Sequence, residues 1–248
     1  MFGRSRQLRA VVRAMPWGAA MKYLIVNGDD FGASRGVNRG IIEAHQRGIL
    51  TSTSLMVNAP RSEDAAELSR TASELSVGLH IDVRNTLMET AVPSPQLREE
   101  LHRQFGRFEE LMGRPPTHLD SHHNVHRDPR ALPHLLELAR EHALPLREHS
   151  GVRYFSKFYG QWGGETHLEQ ISVENLARML VTEIEDGVTE LSCHPGYVDP
   201  EFATGYVIER EAELRVLCDP AVRRTLRVRS IQLVNYHGLD QLLASGLV

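Results

Sequence analysis

Tyr23-Leu-Ile-Val-Asn27, then Gly28-Asp-Asp-Phe-Gly32, then Val37-Asn-Arg-Gly-Ile-Ile-Glu-Ala-His-Gln-Arg47: an apolar run of strand length, a polar turn, and a stretch whose Val37, Ile41, Ile42 and Ala44 fall on one helical face. The chain therefore opens with a β-then-α unit, and the alternation continues. Further strands are expected at 53–57, 77–83, 117–120, 144–147, 188–193 and 231–235, and further helices at 62–73, 96–112, 129–142, 173–185, 208–217 and 220–228. Such alternation implies parallel strands joined by crossover helices, either doubly wound or closed. About seven units of this kind in one domain predict an α/β fold, an irregular TIM-like (β/α) barrel with about seven parallel strands. No GxGxxG motif follows the first strand and no Walker sequence occurs, so nucleotide binding has no support.

Composition agrees: 41% apolar and 24% charged residues over 248 positions suit a globular domain with a sizeable core. A net charge of −4 gives no footprint for nucleic acid, and no run approaches the length of a membrane span. Cys193 and Cys218 do not make a disulfide framework, which fits a reducing, cytoplasmic setting. Residues 1–20 carry Arg4, Arg6, Arg9 and Arg13 without an acid, and Pro16 and Gly18 break any apolar stretch. They read as a flexible tail or an upstream start, with a single barrel domain over 22–248.

The polar residues fall where a barrel would use them. Asn27, Asp29 and Asp30 follow the first strand, His80 and Asp82 close the third, Asp120 and His122 follow the fourth, and His194 follows the sixth. In a parallel barrel the carboxyl ends of all strands meet on one face, so these residues can converge. His118, His122, His123 and His126 crowd into nine positions, and neutral imidazole is the commonest metal ligand. Bland readings stand beside this one: Asp29-Asp30 before Phe31-Gly32 also suits a turn, and His80 in an apolar run also suits a core histidine. Two adjacent carboxylates repel unless a cation or proton lies between them, which a metal would resolve. Cys193 beside His194 reads as a small buried residue, because strand neighbours point to opposite faces.

Val26-Asn-Gly-Asp-Asp-Phe-Gly32, Gly36-Val-Asn-Arg-Gly-Ile-Ile-Glu-Ala44, Gly48-Ile-Leu-Thr-Ser-Thr-Ser54, Val77-Gly-Leu-His80, Thr117-His-Leu-Asp-Ser-His-His123 and Ser192-Cys-His-Pro-Gly196 together resemble the YdjC-like family of carbohydrate deacetylases, which includes chitooligosaccharide deacetylases and hopanoid-associated members. The resemblance runs from about Lys22 to the C-terminus. It implies a TIM-like barrel holding one divalent metal ion, Mg2+ or Zn2+, on Asp30, His80 and His122. Asp29 then corresponds to the general base, His194 to the acid, and Arg147 to a basic residue that orients the base. Asn27, Asp120 and His126 become supporting or substrate-binding residues. The family usually has Ala where Gly28 stands and His where Asn124 stands, so a substrate contact near Asn124 is in question.

The implied activity is metal-dependent removal of an N-acetyl group from an acetylated amino sugar, either an oligosaccharide or a glycolipid. The chemistry needs such a site: an amide is a poor electrophile and neutral water a poor nucleophile, and a divalent ion addresses both. Wording around 150–172 and 187–199 is similar to the hopanoid-associated branch, which implies an N-acetylglucosaminyl lipid. Tyr154, Phe155, Phe158, Tyr159 and Trp162 beside Gly160, Gly163 and Gly164 read either as a lid over the substrate or as a loop packed on the barrel. Two other functions stay open: a non-haem iron oxygenase using the Asp-His-His set, and a catalytically silent carbohydrate-binding barrel. A homodimer is compatible with the sequence.

Overall fold

The computed structural model describes residues 21–89, 95–239 and 242. The tail expected at 1–20 lies outside the described residues. The chain order is β1 (Lys22–Phe31), α1 (Arg35–Arg47), β2 (Ser52–Leu55), α2 (Ser62–Arg70), β3 (Ser76–Ile81), α3 (Arg84–Glu89), α4 (Pro95–Met112), β4 (Leu119–Ser121), α5 (Leu132–Glu141), β5 (Arg153–Phe155), β6 (Gln161–Trp162), β7 (Glu165–Thr166), α6 (Val173–Thr182), β8 (Gly187–Cys193), α7 (Ile208–Leu217), α8 (Pro220–Val228) and β9 (Ile231–Leu233).

Seven strands form one parallel sheet in the order β4-β3-β2-β1-β8-β5, with β9 also paired to β1. Lys22–Leu24 of β1 pairs with both β8 and β9, and Asn27–Gly28 pairs with both β8 and β2. Hence β9 and β2 share one edge of β1, β9 at its start and β2 further on. The sheet curls into a half-barrel with helices outside, which is the α/β architecture expected from the sequence. β6 and β7 form a separate antiparallel hairpin.

Period-two alternation sorts each strand's side chains between two cores. Leu24 and Val26 of β1 and Leu191 and Cys193 of β8 face the helices, where Ile41 and Ile42 of α1 and Leu176 and Met179 of α6 join one large cluster. Each fully buried aliphatic side chain there contributes roughly 1.5–3 kcal/mol. Tyr23, Ile25 and Val188 instead join Val152, Tyr236 and Leu239 in a small apolar plug inside the half-barrel. Helix α1 starts on Ser34, whose hydroxyl accepts from the Val37 N–H at 3.2 Å.

The strand expected at 144–147 is a single bridge. Leu146 meets Leu119, with Leu119 N–H donating to Pro145 O and Arg147 N–H to Leu119 O, both at 2.9 Å. Ala143 (φ 52°) and Glu148 (φ 64°) turn the chain sharply on either side, so extended backbone lasts only a few residues. The sheet edge is supplied by β5, from the segment read as lid or loop. Among the described residues no helix is long and apolar enough to cross a membrane.

Candidate active site

The pairing of β1 with β2 runs through Asn27 opposite Ser52 and Gly28 opposite Thr53, then resumes at Phe31 opposite Leu55. β1 thus carries one residue more than its partner, at Asp29 and Asp30. Asp30 takes a φ of 68°, a left-handed conformation that Asp tolerates better than most side chains. Strand neighbours normally leave on opposite faces, but this bulge lets both carboxylates line one cavity at the carboxyl ends of the strands. The cavity measures about 320 Å³.

Asp30, His80 and His122 bring ligand-type atoms within 4.8 Å of one another. Asp30 Oδ1 lies 3.3 Å from His80 Nε2 and 3.1 Å from His122 Nδ1, while Asp30 Oδ2 accepts from Arg210 Nη2 at 2.6 Å. The other nitrogen of His80, Nδ1, contacts Asp120 Oδ1 at 2.8 Å. That contact fixes the ring and leaves Nε2 directed at the cluster, the arrangement by which a carboxylate orients an imidazole ligand. Burial pushes Asp30 up, but the Arg210 charge and the two imidazoles bring it well below its ordinary value. Burial lowers His80, yet Asp120, by charge and hydrogen bond, raises it well above.

Asp29 lies in a different setting. Arg147 grips both its oxygens, Nη1 to Oδ2 and Nη2 to Oδ1, each at 2.8 Å, and Asn27 Nδ2 donates to Oδ1 at 2.8 Å. Burial raises the Asp29 carboxyl, and the Arg147 fork more than cancels this, leaving it below the usual carboxylate value. His194 Nε2 stands 4.0 Å from Asp29 Oδ2. Burial lowers His194 despite both aspartates, so its imidazole is neutral near pH 7.

Below the mouth, buried polar side chains form a connected line of contacts. Ser54 Oγ donates to Asp120 Oδ2 at 2.8 Å, Asp120 Oδ2 meets Arg147 Nη2 at 2.7 Å, and Arg147 Nη2 donates to Glu190 Oε1 at 2.6 Å. Tyr236 OH donates to Glu190 Oε2 at 2.8 Å. Burial raises Glu190, and Arg147 offsets this only in part. Because Arg147 is itself buried, its guanidinium has no solvent to turn toward, and its contacts with Asp29, Asp120 and Glu190 set its aim.

The crowded histidines separate. His122 and His123 line the cavity, where His123 and Asn124 both adopt a φ of 53°. His118 lies deeper, stacked on Tyr236 with ring centroids 3.9 Å apart, and burial lowers it to about 4. His126 does not line the cavity; it contacts Ser121 Oγ at 2.6 Å and Glu148 Oε2 at 3.0 Å. Asp82 borders a neighbouring cavity instead. The aromatic segment divides too: Phe155 and Phe158 are core residues, Tyr154 and Tyr159 line the cavity, and Trp162 is exposed and stacked on His167.

Arg210, Tyr206 and Glu213 were not among the residues read from the sequence. Glu213 accepts from the Tyr206 hydroxyl and from the His194 backbone N–H, and Gly160 N–H donates to the same hydroxyl at 2.8 Å. Burial pushes Glu213 up to about 8. The signal for Arg210 and Glu213 was absent because charged residues on a helix default to solvent.

A parallel half-barrel with a three-donor cluster beside a clamped carboxylate defines the class: an α/β barrel with a metal-compatible centre at the strand ends. The chain belongs to the YdjC-like protein family, which matches residues 23–228. A carbohydrate deacetylase of Geobacillus stearothermophilus is 37% identical over 247 residues, covering 87% of this chain and 97% of the relative. A chitooligosaccharide deacetylase of Serratia marcescens is 35% identical, covering 88% and 99%. An Enterococcus faecalis structure, described as a cellobiose-phosphate cleavage protein, matches with a TM-score of 0.75 at 29% identity, covering 89% of this chain and 99% of the other. A family 4 carbohydrate esterase of Streptomyces lividans in complex with acetate matches with a TM-score of 0.56 at 13% identity, covering 87% and 93%, a likeness of fold.

Proposed function

We propose that the chain is a metal-dependent carbohydrate N-deacetylase, hydrolysing the N-acetyl group of an acetylated amino sugar, as oligosaccharide or glycolipid. The observation that carries this reading is the division of labour between adjacent carboxylates: Asp30 faces two imidazoles, and Asp29 is held by Arg147 with His194 across from it. The names of the relatives supply the substrate class.

The residues fit a cation. Asp29, Asp30, Asp120 and Glu190 place four buried carboxylates against the guanidiniums of Arg147 and Arg210, so with the imidazoles neutral, as metal ligands must be, two negative charges are unbalanced when all four are ionised. A divalent ion held by Asp30, His80 and His122 would balance them, polarise the amide carbonyl and ease deprotonation of water. Two imidazoles and one carboxylate suit Zn2+, and the carboxylate-rich surroundings also admit Mg2+.

Asp29 is the proton acceptor for the attacking water, kept ionised and aimed by the Arg147 fork. His194 is the proton donor to the leaving amine. Since burial leaves its imidazole neutral at rest, the proton it delivers is gained during the reaction, and Asp29 Oδ2 is the neighbouring source at 4.0 Å. Tyr154, Tyr159 and Tyr206 line the cavity with rings on which a sugar face can stack. The oxygenase alternative has no observation in its favour. The two cysteines are free, which supports a cytoplasmic setting.

Acetate release from a panel of N-acetylated saccharides and glycolipids, measured alongside metal content, tests the reading. Release that depends on Zn2+ or Mg2+ and disappears in Asp29→Asn with metal still bound is expected. Undiminished release by Asp29→Asn would sink the base assignment, and none from any substrate would sink the activity.

A further inference from the structure

Two of the three cluster residues border two cavities. His80 and His122 line the 320 Å³ mouth and also a second cavity of about 220 Å³, walled by Met56, Val57, Pro60 and Phe202. The two differ in chemistry. Asp29, His194 and the tyrosines all belong to the first. In the second, polar neighbours are already engaged: Gln104 Nε2 donates to Asp82 O at 2.7 Å while Asp82 N–H donates back to Gln104 Oε1 at 3.1 Å, and Asn58 Oδ1 accepts from Arg103 at 3.0 Å. The Arg61–Glu201 ion pair, at 3.0 Å, ties the loop that carries Pro60 to the loop that carries Phe202.

Resting on the deacetylase reading, the geometry assigns the second cavity to the acyl chain of the substrate and points to N-acyl groups longer than acetyl as substrates. The carbon attacked in amide hydrolysis carries four substituents in the tetrahedral state: the carbonyl oxygen, the incoming water, the nitrogen and the acyl chain. The oxygen belongs with the Asp30–His80–His122 cluster, the water with Asp29, and the nitrogen, with its sugar, with His194 and the tyrosines. Only the acyl chain lacks a partner in the first cavity, and it is the one substituent that gains from an apolar wall. A methyl group takes about the room of one water molecule, roughly 30 Å³. An acetyl group would therefore leave most of the second cavity unfilled. A further sugar ring would bring several hydroxyl groups to a largely apolar wall whose Gln104 and Asn58 are already paired, which costs free energy. Met56 and Phe202, both only partly buried, are the side chains that set how long a chain is accepted.

The test uses the metal-loaded full chain and a series of chitobiose derivatives bearing N-acetyl, N-propanoyl, N-butanoyl or N-hexanoyl groups, with release of the carboxylic acid as the readout. The expected kcat/KM for butanoyl stays within about tenfold of acetyl, since each methylene is favourably placed in an apolar pocket. Met56→Trp, which fills the cavity, lowers the butanoyl-to-acetyl ratio by about tenfold or more. A fall of about a hundredfold already at propanoyl, or a ratio unmoved by Met56→Trp, overturns the assignment while leaving deacetylation intact. Failure of the acetyl arm as well breaks the activity itself. Binding gives a readout without turnover: in the Asp29→Asn protein, the Met56 methyl resonance shifts with N-butanoyl-chitobiose and not with the free amine. A methyl signal unaffected by either compound overturns the assignment independently.

Discussion

The two walls of the mouth are built differently. On the β1–β4 side, Asp30, Ser54, His80 and Asp120 sit on consecutive strands and hold one another directly, each within 3.3 Å of a neighbour in the chain of contacts. On the opposite side, His194 follows a strand end, Tyr159 lies in a connection, and Tyr206, Arg210 and Glu213 belong to α7 or its approach. Those groups are held by contacts across the chain, with Glu213 at the hub. Strands hold side chains more precisely than loops do, which suits Asp30 and His80 in the donor cluster. Connections and helix ends vary more freely, which suits the surface that meets the substrate.

The sharpest way to break this comparison is at the strand wall. Asp30→Asn or His80→Ala should abolish stoichiometric metal, measured by elemental analysis, and take acid release to background. Asp29→Asn should lower kcat by about 10²–10⁴-fold with metal content unchanged, the loss expected for one proton-transfer group. Asp120→Asn, which frees the His80 ring, should weaken metal binding by about 10–100-fold in a competition titration. Across the mouth, Tyr206→Phe removes two hydrogen bonds, one donated to Glu213 and one accepted from Gly160 N–H, of about 1 kcal/mol each, so kcat/KM should fall by about thirtyfold or less. A loss as large as that of Asp29→Asn would erase the distinction between the walls.

The smallest effect sharpens it instead. Burial raises Glu213 from 4.5 to about 8, so its contribution to stability is complete below about pH 4.5 and is lost as pH rises through 8. Glu213→Gln mimics the neutral acid and should flatten the pH dependence of urea unfolding across that window. An unchanged slope would show that Glu213 is not the group responsible.

What the sequence disclosed follows the same division. The β-then-α rhythm and the strand-end positions of Asp29, Asp30, His80, Asp120, His122 and His194 were readable, because side-chain periodicity and strand polarity act locally. The bulge at Asp29 and Asp30 was not, since extra residues on one strand show only against the partner's register. The bridge at Leu146 replaced a strand because left-handed turns flank it, and β5 emerged from aromatic sequence that also supplies core and cavity walls. Glu209, Arg210 and Glu213 are buried on a helix whose charges resemble a solvated face. Tertiary partners alone mark them as interior.

One motif residue pair has no part in the chemistry and still decides its neighbourhood. A Cβ at Gly36 would lie 2.4 Å from Tyr197 O, and one at Gly40 would lie 2.5 Å from Gly196 Cα, so α1 touches the backbone just beyond His194. Four residues apart, the two glycines share a helical face. In evolutionary terms, helix α1 and the segment after β8 are locked partners: a methyl gained at position 40 must be met by a backbone retreat at 196, so neither site can drift alone. A saturation library should therefore register positions 36 and 40 among the least tolerant in the chain, although neither bears a functional group.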